Sequence, residues 1–145
     1  MPAKDDKLNQ FIYAMLSLNS AIKCESERCC QLCGDVNEKE LMIIVFVGKN
    51  KSVKMSEIAD NLKAPLSTLT SIADKLVANK FLVRHNSDDD RRVVKVALGE
   101  KGLESYEAYL TRRKAMTKKV LSRFNEKEHN TLINHISKLA DAIVA

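Results

Sequence analysis

No stretch of this sequence stays apolar for anything near the ~20 residues that a membrane-crossing helix needs; the longest such run, residues 41–47, is far too short. Proline and glycine are scarce, at 2 and 4 residues, which leaves no room for a flexible linker between domains. No internal repeat or low-complexity segment appears. There is no glycine-rich phosphate loop, and no serine or histidine sits in a recognisable nucleophile setting, so the common enzyme classes lack their signatures. The three histidines, His85, His129 and His135, have no ligand spacing with one another and read as surface or packing residues. The first residues, Met1-Pro2-Ala3-Lys4-Asp5-Asp6-Lys7, are charged and lack the apolar segment of a secretory signal, so the expected location is cytoplasmic, away from membranes.

What is present is a chain of 145 residues, enough for one domain with a real core and helical extensions. Lys plus Arg exceed Asp plus Glu by 24 − 19 = +5. That balance permits a nucleic-acid partner without demanding one.

Leu8, Phe11, Ile12, Met15, Leu16, Leu18 and Ile22 recur at helical spacing, which predicts an amphipathic helix running on to Leu32 and stopping near Gly34. Asn37-Glu38-Lys39-Glu40 matches a capping box. It favours a buried helix over a strand for the β-branched run at 41–47. Residues 48–51 read as a loop, and Val53-Lys54-Met55 as a short strand. Ser56 is a good N-cap for a short helix through Ile58, Ala59 and Leu62, and Pro65 fits only near the start of whatever follows. The next helix has Leu69, Ile72, Ala73 and Leu76 on one face, and Ser67, Thr68, Thr70, Ser71, Asp74 and Lys75 on the other.

After Asn79-Lys80 the period changes to two. Residues 81–84 and 93–98 read as strands around the polar turn 85–92. Gly99-Glu100-Lys101-Gly102 breaks the second strand. A long helix from about Leu103 to Phe124 then turns Tyr106, Leu110, Val120 and Leu121 inward. Its basic residues, from Arg112-Arg113-Lys114 to Lys118-Lys119 and Arg123, are either a second DNA stripe or a solvated face. Asn125-Glu126-Lys127-Glu128 is a second capping box, opening a helix with a packing seam at Leu132, Ile136, Leu139 and Ile143.

Helix, turn, helix and charged-tipped hairpin is the winged helix-turn-helix order. The expected fold class is mainly α with a small β-hairpin wing. Its parts are an N-terminal helix over 1–36, a DNA-binding domain over 37–100 and C-terminal helices over 101–145. The terminal helices are apolar on faces the winged domain cannot cover alone, which points to a homodimer built from both chain ends.

The stretch 56–102 resembles the MarR family of bacterial winged-helix regulators. The likeness is carried by Ser56-Glu57-Ile58-Ala59-Asp60-Asn61-Leu62, by residues 75–84, and by Asp90-Arg91-Arg92 through Leu98 and Glu100-Lys101-Gly102. The chain departs from the family pattern at Gly99, where threonine is common, at Ser87, where aspartate is usual, and at Phe81, where glycine is frequent. The resemblance implies a dimeric regulator, commonly a repressor, on a pseudo-palindromic double-stranded operator. Release follows when a small molecule, metal or oxidant acts as effector.

On that reading Ser67, Thr68, Thr70, Ser71 and Lys75 face the groove, with hydroxyls for phosphates or base edges and Lys75 for a phosphate. The resemblance makes Asp90 and Arg92 the pair that braces the wing. Arg91 is placed to enter the minor groove, and Arg92 beside it belongs to the same DNA-binding set. The helix face has no Arg, Asn or Gln for bidentate base contacts, so backbone contacts, the wing and indirect readout should carry much of the recognition.

Cys24, Cys29, Cys30 and Cys33 crowd into ten residues at the end of the first helix. At ~100° per residue, the last three share one arc and Cys24 lies off it. Their spacing is not a standard zinc pattern. Three thiols on one face could hold an iron–sulfur cluster or another soft metal, or two could form a disulfide, with Arg28 and Lys23 favouring thiolates. Buried structural thiols are the equal alternative. A protein of another class, binding metal or a cluster through these thiols and using the helix-turn-helix as a scaffold, is the competing reading.

Overall fold

The computed structural model describes residues 2–145. Its elements are α1 (Pro2–Leu32), α2 (Glu38–Asn50), β1 (Ser52–Lys54), α3 (Met55–Leu62), α4 (Leu66–Ala78), β2 (Leu82–Asn86), β3 (Val94–Leu98), α5 (Glu100–Leu121) and α6 (Glu126–Val144). This is the expected winged helix-turn-helix: six helices and a three-stranded antiparallel sheet in the order β1-β3-β2. The chain divides into two compact units, one reaching to Tyr109 and the other Leu110–Ala145.

In the first unit, α2 is the central helix. Asn37 Oδ1 accepts from Glu40 N at 2.8 Å, and Glu40 Oε2 accepts from Asn37 N at 3.0 Å, so the capping box closes as its sequence predicts. Ile43, Ile44 and Val47 are wholly buried. They meet Ile58 of α3, Leu69, Ala73 and Leu76 of α4, and Leu82 and Val96 of the sheet in one core. Val96 is the hub of the sheet, opposite Val53 on β1 and Arg84 on β2. Cys29 and Cys30 in the last turn of α1, with Cys33 and Val36 in the turn that follows, close the same core. Gly34, at φ 99°, ends that helix as expected.

Several expected boundaries move. Helix α1 starts at Pro2, a position proline favours, well before the apolar stripe begins. Helix α2 continues through Gly48 to Asn50, where a loop was expected. Its glycine is there for room, not for a turn: a Cβ at Gly48 would lie 2.7 Å from the Tyr106 ring. Helix α3 starts at Met55 with Lys54 as cap, so Ser56 is not the N-cap; the Glu57 carboxylate takes up the Lys54 N–H at 2.7 Å instead. Strand β2 reaches Asn86 because it pairs with β3 as far as Val94. Helix α5 starts at Glu100, earlier than expected, and ends at Leu121.

The start of α5 sits hard against the turn between α4 and β2. Gly99 N donates to Phe81 O at 2.9 Å, and a Cβ on Gly102 would lie only 1.9 Å from that same oxygen. Phe81 itself is buried, with Lys101 Nζ 5.9 Å from its ring centroid.

In the second unit, α6 opens with the expected capping box of Asn125 and Glu128, at 2.9 and 3.1 Å. His129 Nε2 donates to the carbonyls of Leu121 and Phe124 at the end of α5 (2.8 and 3.1 Å), satisfying acceptors that a helix end leaves open. Within the expected seam, Leu132 and Leu139 are half-buried, whereas Ile136 and Ile143 are exposed.

Candidate nucleic-acid interface

Helix α4 follows a tight turn in which Lys63 takes the left-handed conformation (φ 50°, ψ 45°) and Pro65 caps the helix. With Leu69, Ala73 and Leu76 sunk in the core, Ser67, Thr68, Thr70 and Ser71 are left exposed. Thr70 Oγ1 donates to Leu66 O at 2.8 Å, and Ser71 Oγ to Ser67 O at 3.2 Å. These two hydroxyls spend their proton on the helix and turn acceptor lone pairs outward.

The two charges on this helix are each paired within the protein, although both side chains stay largely exposed. Lys75 Nζ donates to Glu40 Oε1 at 2.7 Å, and the Glu40 side chain is only 6% exposed. Asp74 pairs with Arg84 of β2. The sequence-based reading of Lys75 as a cation open to phosphate therefore meets a prior partner, one that a pattern of nearby residues does not disclose. Glu40 is legible as a capping residue, but its second oxygen's link to α4 is not.

The hairpin tip is organised by its backbone. Ser87 N donates to Val93 O at 2.8 Å, Val93 N to Asp90 O at 3.0 Å, and Arg92 N to Asp90 Oδ1 at 3.0 Å. Asp90 thus links to Arg92 through the Arg92 amide, and among the described residues not through its guanidinium. An acceptor two residues ahead suits an aspartate-initiated turn. Ser87, where the family often has aspartate, is buried and serves through this backbone link. Arg91 and Arg92 are exposed. Among the described residues no ion pair ties them to Asp88, Asp89 or Asp90.

The cysteines divide by burial. Cys24 is exposed, while Cys29, Cys30 and Cys33 lie in the core. Cys29 and Cys33 Sγ are 3.8 Å apart, and Ser105 Oγ donates to Cys33 O at 2.6 Å. Burial first, then the neighbouring Cys29 thiol, pushes Cys33 up to about 12 from an ordinary 9.0. Burial likewise raises Cys30, reinforced by Cys29 and by Glu38, Glu27 and Glu40. At Cys30 and Cys33 burial thus works against the thiolates that Arg28 and Lys23 are expected to favour. Among the described residues no group of three or more His, Cys, Asp or Glu converges so as to hold a metal ion.

Comparison with known proteins fits this architecture. The model of the MarR family matches residues 36–94, from the α2 cap to the second wing strand. The HTH-type transcriptional repressor MdtR of Bacillus subtilis (strain 168) is 32% identical over 107 residues, spanning 74% of this chain and 69% of the relative. The chain belongs to the MarR family. It is thus a DNA-binding transcriptional regulator of winged-helix type. The YusO protein of Bacillus subtilis shares the fold at a TM-score of 0.75 with 28% identity, over 95% of this chain and 97% of the other. FabT of Streptococcus pneumoniae, solved in complex with DNA, matches at 0.76 over 95% and 96%, and at 24% identity the likeness is one of fold. The matched family segment ends before α5 and begins after the cysteines, so neither the cysteine cluster nor the apolar terminal helices belong to it.

Proposed function

We propose that this MarR-family regulator is a homodimeric repressor that occupies a pseudo-palindromic operator in the cytoplasm and is released by an effector. The observation that carries the dimer is on α1. Phe11, Ile12, Leu16 and Ile22 stand between 46 and 57% exposed at helical spacing, more apolar surface than an isolated helix leaves to water. The isoleucines of α6 add an uncovered face in the second unit. A second copy covers such faces symmetrically, and it sets two α4 helices and two wings on one duplex. Sedimentation of the full chain should give a dimer. Gel-shift titration should show preference for a palindromic duplex selected from a random pool over its scrambled form, with a steep salt dependence. A monomer, or equal affinity for both duplexes, defeats the proposal.

The effector class is supported by the family resemblance alone. An oxidant acting at Cys29 and Cys33 has their 3.8 Å separation in its favour. Against it stand the burial of both sulfurs and the protonated state that burial imposes on Cys33.

A further inference from the structure

We infer that Glu40 is a positioning residue for the DNA-reading helix. It holds Lys75 as an internal strut and keeps that cation off the DNA backbone when the operator is bound. The inference rests on the DNA-binding role of the family and deepens it.

Both oxygens of the Glu40 carboxylate are committed. Oε2 accepts the Asn37 amide at 3.0 Å, which starts α2, and Oε1 accepts Lys75 Nζ at 2.7 Å, which fixes α4. The carboxylate is nearly sealed from water, so removing its cation leaves a buried charge without compensation. Lys75, by contrast, loses little by staying, since most of its side chain remains solvated. The exchange of Glu40 for a phosphate is therefore unfavourable on the protein side.

On the opposite flank of the helix, Asp74 is tied to Arg84 of β2. At ~100° per residue, Asp74 and Lys75 leave the helix on either side of the stripe of Ser67 and Ser71. One charge is braced to α2 and the other to the wing sheet, and the stripe between them is neutral. The helix is thus held by two struts and reads DNA through hydroxyls, with the counter-charge supplied from elsewhere, the wing foremost.

The test is the dependence of affinity on salt, which a purely structural ion pair would not alter. Each phosphate neutralised contributes about 0.9 to the slope of log K against log salt. Full-length wild type, Lys75→Gln, Glu40→Gln and the double variant are titrated by fluorescence anisotropy on two probes. One is a mixed-sequence duplex, the other a duplex enriched by the wild type from a random pool. Glutamine at 75 can still donate to Glu40, and glutamine at 40 can still accept from Asn37 while releasing Lys75.

The slope of Lys75→Gln should equal that of wild type. That of Glu40→Gln should steepen by about 0.9 per protomer as the freed ammonium finds a phosphate, and the double variant should return to the wild-type slope. A Lys75→Gln slope shallower by that amount makes Lys75 a phosphate contact and overturns the inference, as does an unchanged slope in Glu40→Gln. If Glu40→Gln does not fold, as judged by its melting transition, the Lys75→Gln slope decides alone. A wild type that enriches no duplex defeats the operator proposal, and the slopes on the mixed-sequence probe still settle the role of Glu40.

Discussion

The cysteine cluster gives the sharpest prediction. Cys33 is 1% exposed and its thiol is pushed up to about 12 from 9.0. A difference of about three units lowers the thiolate fraction near pH 8 by about 1000-fold, before access to the sulfur is considered. Cys30 is raised for the same reason, and Cys29 is nearly as buried as Cys33. Titration of the native protein with Ellman's reagent should therefore show one fast thiol, removed by Cys24→Ser. The 4 cysteines of the chain should all react once it is unfolded in guanidinium. Peroxide at concentrations that oxidise Cys24 should leave DNA affinity unchanged. The same physics sets an alkaline limit. Unfolded thiols ionise near 9 while the folded Cys33 keeps its proton to about 12. In that window the native state binds more protons than the unfolded one, so stability falls as pH rises, by up to about 1.4 kcal/mol per pH unit for the group. Cys33→Ala should flatten that fall, at some cost in packing at lower pH. Two or more fast thiols in the native protein, or an alkaline slope unmoved by Cys33→Ala, would refute the reasoning and restore the cluster as a redox sensor.

The remaining predictions concern the frame and the wing. Gly102→Ala drives a methyl group into Phe81 O at 1.9 Å and should cost about 3 kcal/mol or more, roughly 6–12 °C in melting temperature; an ordinary melting curve for this variant would count against the close approach of α5 to the wing. Asn37→Ala removes the acceptor for Glu40 N and should cost about 1 kcal/mol in chemical denaturation. Arg91→Ala should weaken binding on every duplex and reduce the salt slope by about 0.9 per protomer, with the melting temperature unchanged. Asp90→Asn, which keeps an oxygen for the Arg92 amide, should bind DNA better than Asp90→Ala, which does not; equal binding by the two would remove Asp90 from the wing's support.

What the sequence disclosed follows the range of the interactions involved. Both capping boxes and the apolar face of α4 are local patterns, set by residues three and four apart, and they fold as read. Gly48 reads as a loop residue because the reason for a glycine there, room for the Tyr106 ring, comes from α5. The start of α5 was hidden because Phe81 O, not a local cap, positions it. The strut from Glu40 to Lys75 joins residues 35 apart, beyond any spacing rule. In α1 the apolar stripe and the cysteine arc look alike as patterns. One stays open to solvent and the other is sealed, because only the last turns of that helix lie over the core. Periodicity shows that a face is distinct, and only packing shows what covers it.

That distinction bears on how this regulator chooses its DNA. A net charge of +5 suggests broad attraction to a polyanion, yet the one lysine of α4, the helix proposed to read the groove, already has a partner. Its lysine is bound to Glu40 and its aspartate to Arg84; Thr70 and Ser71 have given their protons to the backbone. Such a face offers lone pairs and methyl groups, which favour base donors and thymine methyls over the guanine edges that arginine reads. Each of these contacts is weak beside a bidentate arginine, so discrimination must accumulate over the whole site. In the proposed dimer the complement comes from two wings tipped by Arg91, on the reading that each enters a minor groove whose width depends on sequence. The expected operator is one whose flanks, and not only its half-site centres, govern affinity. Substituting the flanking base pairs that the wings approach should therefore change binding as much as substituting those beneath α4.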